Sequence, residues 1–382
     1  MKVLLHIGQS KTGTSAIQAF LTLNRYKLRE SGVLYPSVMV NGVAINMGSH
    51  NAVADALSGV VRFPGLRAEE YFKQFFDEAE SGKSDLLILS AEHFFGGEPR
   101  VWDISNPDDY LEHYKKKIRS LAAFLRGHEV SILVYLRPQL DWLASAISQT
   151  VRIEGLISDK NIYKSDAQFF EMVRPILDYT MLLDAWRDII RPVSINAVPY
   201  DRQCLHKGSS VSDFLFRIGL DGVDFPYASE DVQVNESLSR DYLEVKKRLN
   251  LMARSKHRER AIIRCLEVLS RSSDWGSAYA LDPKVEEMVE RVVDNSSINS
   301  DYMGAAGRLP VKSVSYGRAA RCLTESDIDL AAHKFNREFA RPVYRILEAS
   351  YALKSALRNN ARPIHALLHQ FKMAYWGVKY RR

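Results

Sequence analysis

The chain has 382 residues, 46% of them hydrophobic, and a formal net charge of +6, enough apolar material for a large core. The charge is uneven: seven lysines and arginines and no acidic residue follow Glu348, so the body of the chain is near neutral. That balance disfavours a nucleic-acid binder, whose positive field should cover a working face. The three cysteines, Cys204, Cys265 and Cys322, are scattered without metal-ligand spacing and read as free or buried thiols of a reducing cytoplasm. No apolar stretch reaches the roughly 18 residues of a membrane span, and the first apolar run is too short for a signal segment.

The opening residues carry the strongest signal. Val3 to Ile7 is the apolar run of a buried parallel strand. Gly8-Gln9-Ser10-Lys11-Thr12-Gly13 is a polar loop with two glycines, and Ile17, Phe20 and Leu21 then recur at helical spacing. Strand, glycine loop and helix start build an anion site, because unpaired N–H groups and the helix dipole face the loop. Lys11 adds a full positive charge, and Thr12, Thr14 and Ser15 add hydroxyls, so the expected ligand is a phosphate or sulfate group. The order is not that of a Walker A loop, which sets its lysine directly after the second glycine.

A loop over Val40 to His50 leads to a helical stretch at Ala52 to Leu57, and Glu69 to Glu80 predicts an amphipathic helix. Leu86 to Leu89 predicts a second buried strand, ending at Ser90-Ala91-Glu92-His93. Chemistry in open parallel sheets sits at the carboxyl ends of strands, so Glu92 stands where it could act. Tyr110 to Leu125 is helical. Val130 to Leu136 is a third strand, closed by Arg137-Pro138 and followed by a helix through Ser145, Ile147 and Val151. Gly155 to Asp166 reads as loop, Tyr179 to Trp186 as helix, and Val193 to Val198 as a fourth strand. A helix is expected over Ser210 to Ile218, another over Arg240 to Lys256, then loop over Ser296 to Ser315, and a helix capped by Thr324. Strands alternating with helices to about residue 220, then helices alone, predict an α/β fold with a central parallel sheet and a helical C-terminal part.

Ser10-Lys11-Thr12-Gly13-Thr14-Ser15 resembles the 5′-phosphosulfate loop of sulfotransferases, which use 3′-phosphoadenosine 5′-phosphosulfate (PAPS). Arg137 and Ser145, two helical turns apart after a strand, resemble that family's 3′-phosphate motif. Leu177 to Trp186, Val198-Pro199-Tyr200, Asn235 to Ser239 and Asn336 to Phe339 resemble its bacterial branch, so the likeness covers roughly residues 1 to 345. It implies a P-loop NTPase-like sulfotransferase fold, with 240 to 300 as a helical insertion or subdomain and 346 to 382 as a basic tail. It further implies PAPS bound by Ser10 to Ser15, Arg137 and Ser145, and no metal. Sulfonate would pass in line to an acceptor hydroxyl, on a glycan or lipid-linked sugar, with Glu92 or His50 as base. Two departures stand out: cytosolic members carry histidine where this chain has Glu92, and their C-terminal R-K-G stretch is not recognisable. A P-loop kinase or NTPase, or a sulfotransferase of a phenolic or tyrosine acceptor, is the alternative. The expected location is cytoplasmic. The basic tail suits either the inner face of an anionic membrane or docking on the core.

Overall fold

The structure is a computed structural model and describes residues 1–40, 43–45, 47–63, 65–96, 107–157, 163–227, 238–252, 256–272, 279–304, 307–313 and 324–338. By its internal contacts the chain forms two units. The first comprises Met1–Ile147, Tyr163–Glu236 and Ala280–Tyr316, and the second Ser148–Ile162, Ser237–Tyr279 and Gly317–Arg382. The stretch 240 to 300 is thus shared between them, with its first forty residues in the second unit and the rest in the first.

The first unit is built on a five-stranded sheet of β1 (Lys2–Ile7), β2 (Val33–Leu34), β5 (Leu86–Ala91), β6 (Glu129–Leu136) and β7 (Ser194–Pro199), in the order β2-β5-β1-β6-β7. All pairings are parallel; Ile7 stands opposite Ala91, and His6 lies between Ser90 and Leu133. The expected central parallel sheet is therefore present. Leu5, Ile7, Leu87, Ile88, Leu89, Val134 and Leu136 are fully buried, each contributing about 1.5–3 kcal/mol. From β1 the chain moves to the β2 and β5 side, whereas from β6 it moves to β7. Such a reversal between neighbouring strands opens a crevice at their carboxyl ends. The crevice lies between β1 and β6, where the glycine loop and Arg137 emerge.

Helices pack around the sheet: α1 (Thr14–Leu23), α2 (Arg25–Glu30), α3 (Asn51–Leu57), α4 (Ala68–Ser81), α5 (Pro107–Phe124), the first turns of α6 (Gln139–Ile157), α7 (Asp166–Leu177), α8 (Tyr179–Ile190), α9 (Ser210–Arg217), α12 (Pro283–Val292) and α13 (Ser296–Asp301). Three expectations are corrected. The Val40 to His50 loop contains half of a small hairpin, β3 (Val38–Val40) with β4 (Val43–Ile45), whose alternation is blurred by exposed Met39 and Val43. Helix α7 was not expected, because Pro175 interrupts its pattern; Ser165 caps its start by accepting from the Gln168 N–H. Helix α13 occupies part of the expected loop at Ser296 to Ser315.

The second unit is helical, with α10 (Arg240–Asn250), α11 (Lys256–Ser272) and α14 (Glu325–Glu338). The expected helix over Arg240 to Lys256 ends at Asn250. Lys246 is fully buried and paired with the buried carboxylate of Glu259, and its ammonium also donates to the Val151 carbonyl at 3.2 Å. Asn250 donates to Glu154 at 2.9 Å, and Arg152 pairs with Glu267 at 2.8 Å. Thr324 caps α14, accepting from the Asp327 N–H at 3.2 Å. Among the described residues no helix is long and apolar enough to cross a membrane. The basic tail, Cys322, and the sequence matches at Asn235 to Ser237 and at Phe339 lie outside the described residues.

Candidate functional site

The loop after β1 is held by its own groups. The Gln9 carbonyl accepts from the Thr12 hydroxyl at 2.6 Å and from the Thr14 hydroxyl at 3.1 Å. Both threonines are buried, and both hydroxyls donate inward. They shape the loop, and the Ala16 and Ile17 N–H groups bond back to the Gly13 carbonyl, so the groups chemically suited to an anion are the N–H groups of Thr14 and Ser15, the Lys11 ammonium and the exposed Ser15 hydroxyl. Gly8 permits close packing, since a Cβ there would stand 2.6 Å from the Thr14 methyl. Gly13 caps α1 with φ 74°, and a Cβ on it would lie 2.6 Å from the Ser210 hydroxyl. Lys11 is also left-handed, with φ 71°, a conformation that costs a non-glycine residue about 1–2 kcal/mol.

The Gln9 side chain carries the loop to its neighbours. Its Nε2 donates to the Tyr179 hydroxyl at 2.7 Å, and its Oε1 accepts from the Arg137 N–H at 2.8 Å. Tyr179 donates in turn to the Arg137 carbonyl at 2.9 Å. The Arg137 guanidinium donates to the Lys11 carbonyl at 3.4 Å. Trp142 Nε1 donates to the Ser10 carbonyl at 3.1 Å. Ser10, Lys11 and Arg137 are thus brought together at the crevice. Ser145 follows in the second turn of α6, half-buried.

The Gly8 N–H donates to the Ala91 carbonyl at 3.1 Å, which brings the end of β5 against the loop. Glu92 follows at the start of a 3₁₀ turn, Glu92–Phe94. Burial pushes its carboxyl up, and His93 and Lys11 pull in the opposite direction without restoring the ordinary value. Among the described residues nothing hydrogen-bonds to this carboxylate. His93 is held differently: its Nδ1 lies 2.6 Å from the Asp55 carboxylate, which also pairs with Arg62, and its N–H donates to Asn51 at 3.2 Å.

His50, the other candidate base, belongs to the core. It is fully buried, with Nδ1 accepting from the Ser90 N–H at 3.0 Å and Nε2 donating to the Pro36 carbonyl at 3.3 Å. Burial lowers its pKa to about 3. Both ring nitrogens are engaged and the ring stays neutral, so it has no open position for a substrate proton.

Sequence reasoning did not find Gln9, Tyr179, Trp142, Asp55 or Arg62. Gln9 had a signal, a polar side chain within a glycine loop; the others act through contacts far apart in the chain. A cleft of about 530 Å³ opens beside Ser15, between α1, Ile45, residues 47–49, the start of α3 and Arg62-Phe63. No family model, curated protein or solved structure matches the chain.

Proposed function

We propose that the chain is a PAPS-dependent sulfotransferase acting on an acceptor hydroxyl. The observation that carries this reading is the hydrogen bond from Arg137 to the Lys11 carbonyl, which links two cationic anchors at one crevice. A nucleotide with anionic groups at both its 5′ and 3′ positions asks for such a pair; the chemistry of the donors, N–H groups, an ammonium and a guanidinium, fits it.

Transfer forms an acceptor O–S bond and breaks the S–O bond to the 5′-phosphate. The acceptor proton passes to a base, and the electron pair of the broken bond stays on the phosphate oxygen. Lys11 and the first turn of α1 stabilise the charge that grows there, and one such donor is commonly worth about 10²–10³ in rate. Glu92 is the base: its unbonded carboxylate stands one strand away from the loop, and burial raises its proton affinity. Arg137 and Ser145 hold the 3′ end. The acceptor class proposed is a glycan or a lipid-linked sugar.

Melting curves with 3′-phosphoadenosine 5′-phosphate (PAP) and with ATP–Mg²⁺ test the reading. Stabilisation by PAP and sulfonate transfer from labelled PAPS are expected. Stabilisation by ATP–Mg²⁺ alone would instead point to a kinase or NTPase.

A further inference from the structure

We propose that the cleft beside the first turn of α1 is the acceptor site, and that it takes an uncharged, polyhydroxylated ring, a neutral glycosyl residue. The inference rests on the transfer reading above for its chemistry. Its volume, about 530 Å³, falls within the range of small-ligand sites, roughly 300–1,000 Å³. Ser15 belongs both to the first turn of α1 and to the cleft wall, so an occupant lies beside the anion loop.

The lining sets the class. Ser15 and Ser49 offer hydroxyls, Gln18 and Asn51 offer amides, and Phe63 offers an aromatic surface. Arg62 is the charged group among the lining residues, and the buried Asp55 carboxylate already pairs with it. Burial alone would raise the Asp55 carboxyl; His93 and Arg62 overcome that and hold it below its ordinary value. The guanidinium therefore presents its remaining N–H donors to the cleft while its charge faces the Asp55 carboxylate. A uronic or sulfated sugar would lose hydration here without meeting an unmatched cation. A phenol would leave the hydroxyl and amide side chains facing an apolar ring, which costs discrimination. A neutral sugar matches both surfaces, with hydroxyls to the polar wall and a C–H face to Phe63.

Gly48 provides the blocking variant. It lies in the cleft wall, a Cβ on it would meet nothing within 4 Å, and its backbone is not left-handed. Gly48→Phe should fill the cleft without straining the loop, and Arg62→Gln removes the charged donor. The full chain with PAP would be mixed with lactose, cellobiose or N,N′-diacetylchitobiose, with a glucuronic-acid disaccharide, and with 4-nitrophenol. Saturation-transfer NMR reads binding, and labelled PAPS reads transfer. At least one neutral disaccharide should bind and be sulfated. Gly48→Phe should raise its KM about tenfold or more, with the PAP melting shift retained; Arg62→Gln should act in the same direction and serves if Gly48→Phe does not fold. Binding and transfer only with the phenol or the acidic sugar, or neutral-sugar KM unchanged in a folded variant, overturns the acceptor assignment and leaves the nucleotide reading standing. A missing PAP shift in the unmodified chain overturns the nucleotide reading instead. The NMR signal of the neutral sugars, and its loss in Gly48→Phe, then decides the cleft by itself.

Discussion

Lys246 in the helical unit and Glu92 in the sheet unit are treated in opposite ways. In the helical unit Lys246 and Glu259 are both withdrawn from water and given to each other, with the Val151 carbonyl and the Asn250 amide oxygen accepting from the ammonium. At the carboxyl end of the sheet Glu92 is half-buried, no hydrogen-bond donor among the described residues holds its carboxylate, and burial raises its proton affinity. A paired buried charge is a structural element; an unpaired one carries a free-energy cost that the fold retains. The contrast separates a charge that serves the fold from one available for proton transfer.

Glu92→Gln strains the contrast most. Turnover should fall about 10²–10⁴-fold. The acid limb of the wild-type rate profile should lie above the ordinary carboxylate range and vanish in the variant. Stability should move the other way. Because the folded-state value is raised, charging the group opposes the fold as pH rises through it. The variant should therefore melt higher at neutral pH, with the gap closing as pH falls to the ordinary carboxylate range. An unchanged rate would remove Glu92 from the chemistry.

Lys246→Met tests the other side. It strands the buried Glu259 and should cost about 3–5 kcal/mol in urea unfolding, while Lys246→Met with Glu259→Leu should recover most of that loss. A mild single mutant would mean that the pair is wetter than its burial indicates. Lys11→Ala should reduce turnover about 10²–10³-fold and shrink the PAP melting shift. Lys11→Gly should be equally inactive but more stable than the alanine variant by about 1 kcal/mol, because it relieves the left-handed backbone.

The smallest effect on turnover is expected at His50. Its folded-state pKa of about 3 lies below the ordinary 6.5, so its contribution is complete above 6.5 and fades as pH falls toward 3. His50→Gln should cost about 1–3 kcal/mol, by disturbing the acceptor of the Ser90 N–H, and leave the acid limb of the rate profile in place. A shifted limb would return His50 to the reaction.

The sheet was legible because its strands are continuous apolar runs bounded by polar turns, and both glycines of the anion loop stand in the open sequence. The hairpin of β3 and β4 was not, since short half-exposed strands lack a clean alternation. Helix α7 was hidden by Pro175. At the site, residue types pointed correctly to the loop, Glu92 and Arg137 as neighbours of one sheet edge. They could not say that the Thr12 and Thr14 hydroxyls turn inward, nor that His50 is enclosed, because both facts depend on partners supplied by the folded chain. The same holds for Asp55, an ordinary helical aspartate until His93 and Arg62 converge on it.

Gln9 carries a last consequence. Its carbonyl accepts two hydrogen bonds within the loop and its side chain joins the loop to α8 and to the end of β6 through two more, all four between groups of the chain itself. The ordering entropy of the loop is then settled during folding and not at encounter. Association should follow simple one-step kinetics, with a rate that grows linearly with nucleotide concentration and shows no plateau from loop closure. Gln9→Ala would move that entropy into the binding step: the loop would order around each arriving nucleotide, and affinity would fall although no group that touches the nucleotide had been removed.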